Sequence, residues 1–307
     1  MRLRTAIFLA TALLTVESSA KASDGLWLTD VKKALQKAAR EGKKKDVLID
    51  FTGSDWCIWC TRLDKEVFSQ EVFKKEAPKY FVLVKLDFPR RKKLPPEVRK
   101  KNQQWLQKLG VQGFPTVFLL DALGKPYAKT GYQPGGAELY IEHLMKLREL
   151  RLARDKALRE ADKAEGIERA KLLHKAIGNM DPGLVVNFYG DLTRQIMHLD
   201  KDGGAGLRSK YGAMFALNEV EQLKVQRKFQ EAVKKADEAL SQLKPAGQPA
   251  QDLNFAKAEA LYLSGDKKAS KETLLAALKA APEGSKVEVI KLILKRLFGM
   301  KLEEKKE

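Results

Sequence analysis

The sequence predicts an α/β domain, a mixed sheet with helices on both faces, followed by an all-α region. Three observations predict it. Short aliphatic runs alternate with helical patterns over the first 150 residues and end in a hairpin. From about residue 150 the strand pattern disappears and helical periodicity continues to the end. The chain has 307 residues, 44% of them hydrophobic, which is enough for two compact domains with their own cores.

The elements follow in order. "LTDVKKALQKAAREG" (28–42) reads as a helix capped by Thr29, with Val31, Ala34, Leu35 and Ala38 on one face and Gly42 at its end. "DVLIDFTG" (46–53) is a short aliphatic strand of the kind buried on both faces. A helix carrying Leu63, Val67 and Phe68 follows, then a second strand, "YFVLVKLDF" (80–88). "PEVRKKNQQWLQKLG" (96–110) is a helix closed by Gly110. "TVFLL" (116–120) and "PYAKTGY" (126–132), joined by "DALGK", form an antiparallel hairpin, and a helix starts near Gly136. Beyond it, 165–182, 226–245 and 264–282 share small residues at similar spacings, as paired helices need for close approach. The pattern is similar to tetratricopeptide repeats, with irregular spacing, and a helical bundle without true repeats fits nearly as well. "DKDGGAG" (200–206) is the clearest break, and the terminal "KLEEKKE" reads as frayed.

Residues 1–22 read as a secretory signal. Arg2 and Arg4 precede the apolar run "AIFLATALLTV" (6–16), and "AKA" (20–22) has the small-x-small form of a cleavage site. The run is shorter than the about 20 residues that span a bilayer. The expected division is therefore 1–22 signal, 23–150 α/β domain and 151–307 helical domain, with the mature protein exported to a periplasmic or extracellular space. Formal charge is +18, spread over both halves. The densest run, "RRKKLPPEVRKK" (90–101), has seven Lys or Arg and one Glu. It offers weak contact with an anionic surface from Arg90 to Lys101. The plainer reading is a solvated loop and helix face, and it carries more weight. No aromatic residue interleaves the run, so nucleic acid is not an expected partner.

The only two cysteines are Cys57 and Cys60, in "DFTGSDWCIWCTRL" (50–63). A structural staple is a poor account, because so small a loop removes little entropy from the unfolded chain. A structural zinc site wants four ligands, and the three histidines, His143, His174 and His198, all lie far along the chain; no metal site is expected. Hydrolase chemistry lacks a local base. Exchange chemistry fits what is present. A strand-to-helix junction places Cys57 near free backbone N–H groups that favour an exposed thiolate, and three helical residues bring Cys60 within reach of its sulfur.

On these residues the chain resembles the thioredoxin family. "VLIDF" before "WCIWC" is similar to the family's strand and active-site segment, and "GFPT" (113–116) resembles its cis-proline loop. "FTGSDWCIWC" resembles exported bacterial members with an approach to the motif one residue longer. The match covers residues 23 to about 150. It implies a thioredoxin fold, Cys57 as attacking thiol, Cys60 as resolving thiol, and Asp50 as the buried carboxylate beneath Cys60, with one extra residue between Asp50 and Cys57 compared with thioredoxin itself. It implies that Trp56 packs beside the sulfurs and that Phe114 and Pro115, the latter cis, shape a substrate-binding edge. Trp59 either covers Cys60 or meets an apolar substrate patch, and Asp55 reads as a solvated turn residue. Ile58 and Trp59 carry no charge, so a modestly lowered thiol pKa and a reducing or intermediate potential are expected.

The reading is a thiol–disulfide oxidoreductase of the exported space, reducing or isomerising protein disulfides without a cofactor. It would draw electrons from a membrane thiol donor and use the helical domain for partners. The alternative is a non-enzymatic adaptor that uses the same domains as a binding platform.

Overall fold

A computed structural model describes residues 25–41 and 44–300. The expected signal (1–22), Gly42 and the terminal "KLEEKKE" lie outside the described residues. The first part runs β1 (Trp27–Leu28), α1 (Val31–Arg40), β2 (Asp46–Thr52), α2 (Ile58–Leu63), α3 (Glu71–Glu76), β3 (Phe81–Asp87), α4 (Pro96–Leu109), β4 (Thr116–Leu120) and β5 (Pro126–Thr130). A π turn, Asp64–Phe68, prolongs α2. The remainder is helical: α5 (Gly136–Ala161), α6 (Gly166–Ile177), α7 (Pro182–Phe188), α8 (Gly190–Leu199), α9 (Leu207–Val225), α10 (Phe229–Leu243), α11 (Gln248–Leu263), α12 (Lys267–Ala280) and α13 (Val287–Phe298).

The sheet order is β1-β3-β2-β4-β5. β2 is central, parallel to β3 and antiparallel to β4, and β4–β5 is the expected hairpin. Every residue of β2 is buried, its aliphatic residues together with Asp46, Asp50 and Thr52. Side chains alternate between two cores. Val47, Ile49 and Phe51 join Val82, Val84 and Phe118 under α1 and α4. Leu48, Leu83, Val117 and Leu119 face the other way, onto Leu63, Phe68, Phe73 and Tyr140. The helix ends follow local chemistry. Asp30, not Thr29, caps α1, its carboxylate accepting from the N–H groups of Lys32 and Lys33. Gly110 closes α4 at φ 64°, a left-handed turn that glycine adopts without a Cβ clash. β1 was not expected: Trp27 and Leu28 pair in parallel with Leu83 and Val84.

The second core does not stop at the sheet. The same cluster continues through Ala157, Ala161, Leu173, Ile177 and Ile196 to Tyr211. α5 carries it. This 26-residue helix starts against the sheet and passes position 150 without a break. Its arginines reach buried carboxylates. Arg148 and Arg151 each approach Asp46 of β2 at 3.1 Å, and Tyr127 donates to the same carboxylate at 3.0 Å. Arg154 donates to Asp121 at 2.7 Å and to the Tyr189 hydroxyl, which in turn donates to the Pro126 carbonyl. Further along, the small residues noted in the sequence sit at helix contacts: Ala232 and Ala236 of α10 pack with Val220, Ala256 and Ala260. Elsewhere among the helices, a cleft of about 970 Å³ is lined by Ile177, Lys210, Tyr211, Leu243 and Pro249 among others. Among the described residues, no helix is long and apolar enough to cross a membrane.

Candidate active site

Cys57 and Cys60 are joined as a disulfide at the junction between β2 and α2. Cys57 is the N-cap of α2, and its sulfur accepts the Cys60 backbone N–H at 3.2 Å. A capping sulfur so placed receives a helix N-terminal N–H that would stabilise a thiolate after reduction. The sulfurs are less exposed than expected: Cys57 retains 7% of its surface and Cys60 3%. Bonded to each other, each covers part of its partner, and Cys57 keeps the larger opening.

Asp50 sits on β2, in register with Lys85 on one side and Val117 on the other. It is 3% exposed, and its Oδ1 has no hydrogen-bond partner among the described residues. Burial pushes its carboxyl up to about 7; Lys85 opposes the shift, and Asp64 and Asp87 add to it. The charge of Asp50 also contributes, after burial, to the raised pKa of the Tyr140 hydroxyl. Lys85 is held by Asp64 at 2.5 Å and lies over the rings of Trp27 and Phe68.

The two tryptophans go separate ways. Trp56 packs edge-on against Phe114, with centroids 5.6 Å apart, and donates its indole N–H to the Phe88 carbonyl at 2.8 Å. Phe114 touches Phe88 as well, and the Phe114–Pro115 peptide is cis. Gly53 makes room for this arrangement, because a Cβ there would fall 2.5 Å from the indole. Trp59, 52% exposed, turns to Tyr132, with Ile58 beside it 75% exposed. Arg62 lies over both the Trp59 and Tyr132 rings and pairs with Glu66 at 2.9 Å. Tyr132 donates to the other oxygen of that carboxylate. The Tyr132 hydroxyl, then Arg62, hold the Glu66 carboxyl below its ordinary range.

Asp55 is not a freely solvated turn residue. Its carboxylate accepts the backbone N–H groups of Arg90, Arg91 and Lys92 at 2.9, 2.8 and 3.1 Å. These bonds, led by that from Arg90, lower its pKa. The head of the basic run is thereby fastened beside the cysteine segment, and the Arg90 guanidinium stacks on Trp56 at 4.0 Å. Sequence reasoning missed Arg62, Glu66 and Tyr132. The Trp59/Arg62 and Arg62/Glu66 spacings of three and four along a helix are the signal that could have found the first two; Tyr132 arrives through the fold.

Residues 31–143 match the family of the thioredoxin-like domain. The chain is 36% identical over 107 residues to the disulfide bond reductase DsbH of Chlamydia pneumoniae, across 35% of this chain and 64% of that protein. It is 27% identical over 122 residues to the thioredoxin-related protein DsbJ of the same organism, across 39% of this chain and 34% of that one. The aligned stretch thus spans less than two thirds of either relative. A solved DsbH oxidoreductase structure aligns at 31% identity, covering 46% of this chain and 96% of that one, with a TM-score of 0.39. Residues 31–143 are a thioredoxin-like domain.

Proposed function

We propose that the protein is an exported thiol–disulfide oxidoreductase acting on protein disulfides in the reducing or isomerising direction. One observation carries the reading: the Cys57–Cys60 disulfide sits at a helix N-terminus with the Cys57 sulfur on the Cys60 N–H. In the reduced protein, the Cys57 thiolate attacks a substrate disulfide. A Cys57–substrate disulfide forms, and the first substrate thiolate leaves and takes up a proton. The Cys60 thiolate then attacks the Cys57 sulfur, re-forms the internal disulfide and releases the second substrate thiol. Two electrons pass from protein to substrate, and a thiol donor must return them; a membrane-bound carrier is the class that an exported protein would use.

In this reading Asp50, with a pKa near neutrality, takes up the Cys60 proton as that thiol becomes nucleophilic. Trp56, Trp59, Phe114 and Pro115 border the substrate. The relative named as a disulfide bond reductase supports the direction. The division into 1–22, 23–150 and 151–307 is kept as a proposal in which α5 is shared by the last two units, and the tetratricopeptide-like helices serve partners. The test is Cys60→Ser. The reduced variant should accumulate mixed disulfides on Cys57 with protein substrates; an adaptor would trap none.

A further inference from the structure

Positive charge around the redox pair is unevenly answered. On the Trp59 side Arg62 is paired with Glu66, and Lys85 beneath with Asp64. On the Trp56 side stand Arg90, Arg91, Lys92 and Lys93, all exposed. The one carboxylate that reaches them, Asp55, is engaged with backbone N–H groups, and none of the four side chains makes an ion pair among the described residues. The segment is anchored at the Arg90, Arg91 and Lys92 amides and at both flanks. Before it, Asp87 accepts from the Ser54 N–H and hydroxyl, and buried Asn102 donates to the Asp87 carbonyl. Phe88 accepts from Trp56. After it, Pro95 and Pro96 lead into α4 and stiffen the chain. Four cations are thus held on a strap whose first member stacks on the residue preceding Cys57.

The geometry points to a charge-reading rim: the strap Arg90–Lys93 selects protein disulfides flanked by Asp or Glu, seating the acidic residues on the Trp56 side while Ile58 and Trp59 meet an apolar neighbour. This rests on the exchange reading and names its substrate class. A fixed cluster of unpaired cations beside a reacting centre attracts oppositely charged partners and raises their association rate. A lipid surface would make little use of the placement, since the strap is built against the cysteine segment, whereas a disulfide-bearing chain must come to that point.

The test compares three disulfide peptides of equal length, identical at the cysteines and flanked by Glu, Gln or Lys. Each is reduced by the full reduced protein at 20 and 300 mM NaCl. The Glu peptide should react roughly tenfold faster than the Lys peptide at low salt. The preference should collapse at high salt, where the screening length is only about 6 Å. Replacing Arg90, Arg91, Lys92 and Lys93 together by Gln should bring the Glu/Lys ratio near one. Replacing Lys234, Lys268, Lys295 and Arg296, exposed cations of α10, α12 and α13, should leave the ratio intact. A ratio near one in the unaltered protein overturns the proposal, as does equal loss in the distant variant. So does binding of anionic phosphatidylglycerol vesicles through the strap with no peptide preference. If none of the three peptides is reduced, the exchange reading falls and the rim falls with it; if all three are reduced with no charge preference, only the rim falls.

Discussion

Two tryptophans bracket Cys57, and each carries an arginine on its ring, yet the two flanks are built differently. Trp59, Arg62, Glu66 and Tyr132 close on themselves: ring, cation, carboxylate and hydroxyl each find a partner within two successive turns and the loop just after β5. Trp56 and Arg90 are joined across more than thirty residues, and the carboxylate nearby holds the backbone of the strap, leaving its side-chain charges unanswered. A flank whose charges are neutralised internally has little left for a partner except its exposed apolar surface. A flank whose backbone is satisfied and whose cations are not is rigid and still unspent. The difference separates a hydrophobic side from an electrostatic one at a single disulfide.

Substitutions test that contrast in descending order of effect. The largest lies beneath both flanks. The Asp50 carboxyl is neutral below its folded pKa of about 7 and prefers the unfolded chain once ionised, so its favourable contribution is complete below about pH 4 and drains as pH rises through 7. Asp50→Asn should remove this slope. The variant with its disulfide intact should gain stability over the unaltered protein by on the order of 4 kcal/mol at pH 8, and nothing at pH 4, in urea unfolding. Next comes Gly53→Ala, which pushes a methyl into the Trp56 indole. It should cost about 1–3 kcal/mol and shift Trp56 fluorescence, with Trp59 unmoved. Asp55→Ala should leave the Trp59 side intact and release the strap. Hydrogen exchange at the Arg90, Arg91 and Lys92 amides should speed up by at least about tenfold, and the preference for acidic peptides should fall. The same release should appear in the native protein at low pH, as protonation passes the lowered pKa of Asp55. Smallest is Glu66→Gln. It leaves Arg62 unanswered and turns the neutral flank cationic, so the preference for acidic peptides should rise, by no more than about fivefold.

The sequence carried much of the fold because its information there is local or strongly patterned. "VLIDF", "FVLVKL" and "TVFLL" are aliphatic because both faces of a central sheet are covered, and each lies where the strand pattern placed it. Gly110 ends α4 as the spacing required. Trp27–Leu28 was illegible because two residues carry no period, and the pairing that defines them comes from β3. The cysteine spacing pointed to the disulfide, since the junction of β2 and α2 fixes both sulfurs locally. The Asp55 anchor and the place of Tyr132 were invisible, because their partners are backbone groups and a carboxylate brought in from 35 and 66 residues away. The Arg154–Asp121–Tyr189 network could not be read for the same reason, although the helix that delivers it is plain in the sequence.

The central claim is that the Cys57 sulfur, freed by reduction, is the nucleophile of the pair. Alkylation of the fully reduced protein by iodoacetamide from pH 5 to 9, with each cysteine followed by peptide mass spectrometry, tests it directly. Cys57 should be modified at neutral pH, faster than a cysteine in a short unstructured peptide, while Cys60 stays protected. A Cys57 inert across that range, or modified no faster than Cys60, would contradict the account.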